Sequence, residues 1–378
     1  MKLERIYKNL ERYLKPNKIL VIYGPRQVGK TTLLNDFLAK TRLKYKLDSG
    51  DNIRTREILA SQDFDRIKEY VSDYELLAID EAQKIPNIGQ ALKIIVDQVP
   101  GIFVVVTGSS SFELSGQIGE PLTGRKRTLN LYPLSQAELA KLHNLFELRE
   151  KIPKWIIFGG YPEVITSKSK KDKIIVLEEL VNSYLLKDIL ELEKIKSSKI
   201  ILDLLRMLAF QIGNEVSFSE LGKKLGLDRK TVARYIDLLE KSFVVFTLSG
   251  FSKNLRKEIT KKNKYYFFDN GVRNAIISNY NDIALRDDVG KLWENFLAIE
   301  RIKTQEYKNI SANNYFWRTW NQQEIDWIEE REGKIFAYEF KLTKNKVKIP
   351  KDFSRTYPQA KFKTVTQENY TDFLELTS

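Results

Sequence analysis

Cysteine is absent from the 378 residues. That excludes disulfides, thiolate metal sites and cysteine nucleophiles. Histidine occurs once, as His143 in "ELAKLHNLF", a helical run in which a lone imidazole reads as a surface or packing group. Serine–histidine hydrolase chemistry and histidine-rich zinc sites are set aside with it. No apolar run approaches the roughly 18–20 residues of a membrane span. The opening "MKLERIYKNL" is amphipathic and charged, without a signal-peptide core, so the expectation is a cytoplasmic chain with no membrane segment. Acid is scarce relative to base: 50 Asp and Glu stand against 63 Lys and Arg, a net charge of +13. Such an excess favours polyanionic partners, nucleic acid first. The length predicts two or three domains, and 42% apolar residues are ample for their cores.

The strongest signal is "KILVIYGPRQVGKTTLLNDFLAK". The apolar run Ile19 to Tyr23 predicts a buried strand. Gly24-Pro25-Arg26-Gln27-Val28-Gly29-Lys30-Thr31 then fits G-x-x-x-x-G-K-[ST], and Thr32 continues it. A helical pattern follows at once, with Leu33, Leu34, Phe37 and Leu38 on one face. Strand, glycine loop and helix form the context in which this motif cradles phosphates. The loop amides and the helix N-terminus supply partial positive charge. Lys30 is expected to reach the β- and γ-phosphates of ATP, and Thr31 to offer its hydroxyl to Mg²⁺.

A second strand in "ELLAIDEAQK" runs from Leu76 to Ile79 and ends in two acids. Asp80 is the expected carboxylate on the magnesium side. Glu81 is placed to orient or activate an attacking water. "YKLD" at 45–48 is a further strand between the two motifs, and is read as the mark of an ATPase branch with an extra central strand. After the strand in "GIFVVVTGSSS", Thr107, Ser109 or Ser110 is placed to sense the γ-phosphate. "TGRKRTLNLYPLS" brings Arg125 and Arg127 just before a fifth strand. Either is a candidate arginine finger toward a neighbouring subunit's nucleotide, or a surface contact.

"GPRQVGKTTLL", "LAIDEAQ", "TGSSSFEL", "GRKRTLNLYPLS" and "FGGYPEV" together resemble a prokaryotic AAA+-like ATPase family whose members end in a domain of unknown function. The resemblance spans nearly the whole chain and is specific in the first 165 residues. It implies an AAA+ core with a helical lid, then a winged helix, then a nuclease-like fold. The chain departs from the family in "SYLLKDIL", where Lys187 stands in place of an expected arginine.

From Pro133 to about Ile212 the pattern is helical. Ser135 with Glu138 forms a capping-box signature, and "KIIVLEELVNSYLLKDILELEKI" reads as one long helix. In "SFSELGKKLGLDRKTVARYIDLLEKSFVV" a short helix ends at Leu225. Gly226, Leu227 and Asp228 form a turn, and Asp228 caps a second helix carrying Arg229, Lys230 and Arg234. With the strand "FVVFTL" this is a winged-helix signature, though such modules also join proteins or domains. "KNLRKEITKKNK" would be the wing. It carries six basic residues counted from Lys253, including Arg256, Lys257, Lys261 and Lys262, against one acid, and would neutralise DNA phosphates.

The last third offers "DVGKLWENFLAIERIKT", an amphipathic helix with Leu292, Phe296 and Ile299 on its core face and Glu294 in its first turns. Three strand candidates follow: "NYFWRTWN", "QEIDWIEERE" with Asp326, and "GKIFAYEFKLT" with Glu339 and Lys341. The period of two puts Glu339 and Lys341 on one face. Helix-Glu, strand-Asp and strand-Glu-x-Lys resembles the PD-(D/E)xK nuclease fold, most closely its archaeal Holliday-junction resolvase arrangement. In that chemistry Asp326 and Glu339 are oxygen ligands for Mg²⁺ and Glu294 completes the site. Lys341 positions the water or stabilises the pentavalent phosphate. Glu324, two residues before Asp326, competes for a ligand role. The same fold also serves for binding alone.

The expected fold is α/β: an AAA+-like P-loop ATPase core (1–133), a helical lid (134–212), a winged helix (213–265) and a PD-(D/E)xK nuclease-like domain (266–378). The expected function is an ATP- and Mg²⁺-dependent ATPase acting on DNA as a homo-oligomer, with a hexamer among the forms. The alternative is a regulatory NTPase switch whose later domains bind DNA or protein without cleavage.

Overall fold

The computed structural model describes residues 3–109, 122–185, 198–252, 263–319, 321–343 and 347–376, with the backbone alone for 183–185. Ser110, Lys187, Lys253, Arg256, Lys257, Lys261 and Lys262 lie outside the described residues. The chain divides into two compact units, one built on the residues up to Tyr132 and the other from Pro133 onward, with Lys241–Phe243 counted with the first.

The first unit is a five-stranded parallel sheet in the order β2-β3-β4-β1-β5. Its strands are β1 (Ile19–Tyr23), β2 (Tyr45–Ser49), β3 (Leu76–Asp80), β4 (Phe103–Gly108) and β5 (Lys126–Asn130). Runs such as "ILVIY" and "LLAI" do not alternate, because helices cover both faces of a parallel sheet. All five residues of β1 are buried accordingly. The helices are α1 (Lys30–Leu38), α2 (Ile53–Ala60), α3 (Phe64–Val71) and α4 (Ile88–Gln98). Asn52 caps α2 and Asp63 caps α3 by accepting backbone N–H bonds, as short polar side chains do at helix starts.

Two sequence expectations are corrected here. The strand at 45–48 forms, but it lies at the sheet edge, with Tyr45 and Leu47 partly exposed. The strand inserted between β1 and β3 is β4, whose apolar "FVVV" is suited to burial between two neighbours. The fifth strand starts at Lys126, so Arg127 lies in it, level with Leu20 of β1.

The second unit carries a seven-stranded sheet in the order β12-β11-β10-β9-β7-β8-β6. Besides short helical turns at Gln136–Leu139 and Pro162–Thr166, its first helices are α5 (Leu145–Phe158), α6 (Lys170–Glu179) and α7 (Ser198–Phe210). The described part of the long helix expected over 173–195 is α6 followed by a wider π-helical stretch over Leu180–Leu185, and 186–195 lie outside the described residues. Next come β6 (Glu215–Val216), α8 (Phe218–Leu225), α9 (Arg229–Lys241), β7 (Val245–Gly250) and β8 (Asn263–Phe267). Asp228 accepts from the backbone of Lys230 at 2.8 Å and Thr231 at 2.9 Å, so α9 starts where the sequence placed it. α10 (Asn270–Ile276) and α11 (Val289–Lys308) precede β9 (Asn313–Arg318), β10 (Glu324–Arg331) and β11 (Lys334–Phe340). α12 (Lys351–Thr356) and β12 (Lys361–Val365) close the sheet.

The expected Leu292–Phe296–Ile299 face of α11 is buried. So are Trp293, Leu297 and Arg301 elsewhere around the same helix, which makes α11 a core helix rather than a one-sided one. β9, β10 and β11 run antiparallel, while β11 and β12 are parallel. Among the described residues no helix is long and apolar enough to cross a membrane.

Candidate functional site

In a parallel sheet, ligand-binding loops gather beyond the carboxyl ends of the strands. Here the loop after β1 and the acids after β3 meet at that end. Gly24 adopts φ 156° and approaches the carbonyl of Leu131, where an added Cβ would lie 2.1 Å from the oxygen. Gly29, at φ 95°, forms the left-handed entry to α1. Arg5, buried, donates to the carbonyl of Val28 and to that of Tyr132 at 2.6 Å. It ties the loop to the chain that follows β5. Sequence reading gave Arg5 no role, since an arginine far from the motif carries no local signal.

Lys30 is buried, and its Nζ donates to the carbonyls of Gly24 and Pro25 at 2.8 Å each. The loop thus holds its ammonium over the cradle. The Thr31 hydroxyl donates to Asp80 Oδ2 at 2.9 Å. The Thr107 hydroxyl donates to Asp80 Oδ1 and accepts from the backbone N–H of Glu81 at 3.1 Å. Thr107, read as a phosphate sensor, here orients the acid pair. Glu81 stands at φ 53°, a left-handed conformation that costs a non-glycine residue energy and clusters at functional sites. Gln83 donates to Glu81 Oε2 at 2.7 Å and accepts from the Ser109 N–H at 3.4 Å. Ser109 thereby reaches the acid through Gln83, which the sequence reading did not single out.

Arg125 bonds to Asp97 at 2.7 Å, and Arg127 stacks over the ring of Tyr13 at 4.8 Å. Because Ile19 pairs with Lys126, both arginines sit at the opposite end of the sheet from their own phosphate loop. Neither approaches the Gly24–Thr31 loop of its own chain.

In the second unit Arg229, Lys230 and Arg234 are exposed on α9, while Val232, Tyr235, Ile236 and Leu239 turn inward. Glu294, Asp326 and Glu339 come together, and Lys341 pairs with Glu339 at 2.8 Å. The cluster holds two groups that the sequence reading did not assign to it. Lys264, only 1% exposed, bonds to Glu294 at 3.1 Å and to Glu324. The Tyr266 hydroxyl donates to Glu294 at 2.7 Å. Lys264 had counted among the basic residues of the wing, and its burial corrects that reading. The clue was in "NKYYF": strand alternation puts Lys264 and Tyr266 on one face, and that face is internal.

Burial raises Asp326, the nearby charges of Glu294 and Glu339 raise it further, and its carboxyl is pushed up to about 8. Burial and the Glu294 charge likewise raise Glu339 against the pull of Lys341. Burial works to raise Glu294 too, but Lys264, Lys291 and Tyr266 outweigh it and hold that carboxyl low. Among the described residues, no three acidic or histidine side chains are disposed to hold a metal ion.

An AAA domain model matches residues 16–140, and two domains of unknown function, DUF8612 and DUF4143, match 149–282 and 289–373. An uncharacterized protein of Mycobacterium tuberculosis is 26% identical over 88% of this chain and 72% of its own length. An uncharacterized protein of Methanocaldococcus jannaschii is 25% identical over 95% of this chain and 83% of its own. Among solved structures, a STAND signal-transduction ATPase of Pyrococcus horikoshii with a tetratricopeptide repeat sensor aligns at 12% identity and TM-score 0.29. That alignment covers 82% of this chain and 46% of that one. A RuvB variant of Thermotoga maritima aligns at 15% identity and TM-score 0.27, over 61% of this chain and 81% of that one. The first third of the chain is an AAA-type, P-loop ATPase-like domain.

Proposed function

We propose that this chain is an ATPase that binds ATP with Mg²⁺ and couples its turnover to DNA, working as a homo-oligomer. The observation that carries the first part is the Lys30–Thr31–Asp80–Glu81 arrangement, with Thr107 and Gln83 fixing both acids. The donor set fits the cofactor: loop amides and Lys30 suit polyphosphate, while a hydroxyl and a carboxylate suit Mg²⁺. Once bound, Mg²⁺ offsets charge on the phosphates. Glu81 is left to take or orient the proton of the attacking water. Glu81→Gln is therefore expected to lower turnover by about 10²–10⁴-fold with nucleotide affinity retained. Phosphate release beside equilibrium binding of a fluorescent ATP analogue measures both, and wild-type turnover in the variant would remove Glu81 from this role.

The DNA part draws on the second unit. β6, α8, α9, β7 and β8 follow one another as in a winged helix, and the exposed basic residues of α9 suit phosphate contact. α11 with β9, β10, β11, α12 and β12 supports the nuclease-like reading of the last domain. The expected result is ATPase stimulation by duplex, single-stranded or junction DNA. Replacing Arg229, Lys230 and Arg234 together by alanine should weaken DNA binding across sequences and flatten its log–log salt slope by about 3. An ATPase rate indifferent to every DNA form would end the DNA reading.

One observation favours the rival, a nucleotide-driven switch that binds without cutting: the buried Lys264 within the acidic cluster. For either reading the arginine finger works in trans, since Arg125 and Arg127 lie away from their own loop. A strict monomer in sedimentation with ATP would exclude it.

A further inference from the structure

The nuclease-like order of the last domain implies a divalent metal held by Glu294, Asp326 and Glu339. The side chains present do not suit one. Such an ion takes carboxylate and water oxygens at about 2.0–2.6 Å and needs room for its own hydration. Against Glu294, the first of these, stands an ammonium. Lys264 Nζ reaches Glu294 at 3.1 Å, contacts Glu324, and lies 5.3 Å from the centre of the Phe316 ring. Its three N–H donors are thereby turned toward two carboxylates and an aromatic face.

Three of the surrounding carboxylates also have cation partners already. Four carboxylates, Glu294, Glu324, Asp326 and Glu339, face one another across α11, β10 and β11. Lys264 serves Glu294 and Glu324, Lys291 adds a bond to Glu294 at 3.2 Å, and Lys341 serves Glu339. Arg318 stands 4.0 Å from Glu324. Asp326 accepts the backbone N–H of Phe340 at 2.8 Å. A dication entering this set would meet positive charge already in place.

Nor can the lysine step aside at small cost. Its backbone is held on both sides, opposite Glu215 of β6 and Leu248 of β7. Its side chain has no path to water, being 1% exposed. A buried charge without a partner costs several kcal/mol, so the ammonium and its carboxylates hold one another in place.

We infer that Lys264 is the resident cation of the Glu294–Glu324–Asp326–Glu339 cluster, occupying the place of a divalent ion, and that the cluster takes up neither Mg²⁺ nor Mn²⁺ while this lysine is present. The last domain is then a binding module with a nuclease-like frame, which deepens the switch reading given above. The lysine comes from the wing strand β8 and the carboxylates from α11, β10 and β11, so the ion cluster fastens the two halves of the seven-stranded sheet together.

The test is Mn²⁺ binding to the full-length, nucleotide-free chain, read by electron paramagnetic resonance of free Mn²⁺. Wild type and Asp326→Asn are expected to bind the same number of ions, because any weak site at Asp80 is common to both. Lys264→Met is expected to gain one Mn²⁺ per chain, and to lose it again when combined with Asp326→Asn. A wild-type ion that disappears in Asp326→Asn overturns the inference. So does a Lys264→Met protein that keeps wild-type near-ultraviolet circular dichroism yet gains no ion. The comparison of wild type with Asp326→Asn involves no change at Lys264, so it decides even if the methionine variant does not fold. ATP turnover with and without DNA, measured on the same samples, reports on the proposed function separately. Its loss of DNA response would count against that reading and leave the Mn²⁺ result standing.

Discussion

Replacing Lys30 by alanine is expected to lower ATP turnover by about 10²–10³-fold, the cost of removing one preorganised charge from a transferring phosphoryl group. Gly24 and Gly29 let the backbone turn tightly enough to aim its amides inward, and Arg5 pins the loop at Val28. Lys30 is buried and points its ammonium back over the loop carbonyls. A polyphosphate in the cradle offers this ammonium charged acceptors in place of the neutral carbonyls. Alanine leaves the helix start intact, being the best helix former, so the loss should appear in turnover and nucleotide affinity with little change in melting temperature. Phosphate release and thermal unfolding on one preparation separate these outcomes. Turnover at the wild-type rate would show that the loop is not a hydrolytic site.

The largest effect on stability is expected at Arg301. Its guanidinium forms a fork onto Glu329, at 2.5 and 2.9 Å, with the two side chains 1% and 0% exposed. It also donates to the carbonyl of Phe373 at 2.8 Å and to Glu375 at 3.1 Å, so α11, β10 and the C-terminal segment converge on one side chain. Trp327 Nε1 donates to the same Glu329 at 3.1 Å. Arg301→Met strips the buried, charged Glu329 of its fork and leaves Arg331, at 3.4 Å, as its remaining cation, which costs about 3 kcal/mol. For a unit of this size that lowers the melting temperature by about 10 °C. Adding Glu329→Leu removes the stranded charge and should recover much of the loss, since a buried pair replaced by apolar groups is often neutral. Circular dichroism melts of the single and double variants test this. An unchanged midpoint in Arg301→Met would mean the pair contributes nothing.

The first unit was largely legible in the sequence because its chemistry is contiguous. The loop, its strand and its helix are neighbours in the chain, and "LLAIDE" carries strand and acids together. What was not legible lay across the chain. Which strand stands between β1 and β3 depends on packing, and the edge position of β2 follows from the order of the whole sheet. The positions of Glu294, Asp326, Glu339 and Lys341 were readable from period and order. Lys264 was not, because a lysine in a basic stretch looks like a solvated charge, and only the fold turns that strand face inward. The ion pair of Arg301 with Glu329 was hidden for the same reason: one charge among several on a helix gives no hint of a partner 28 residues away.

The strand order has a consequence for how the protein is made. β1 pairs with nothing near it in sequence: Ile19 is flanked by Val104 and Lys126. At ordinary elongation rates of about 5–20 residues per second, the ribosome takes roughly 5–20 s to supply the second partner. Until β4 is made, the growing chain carries the apolar "ILVIY" without either partner strand. The Gly24–Thr31 loop can meet Asp80 only once β4 has emerged to stand between β1 and β3, and the nascent chain until then is a natural client for chaperones that bind exposed apolar strands.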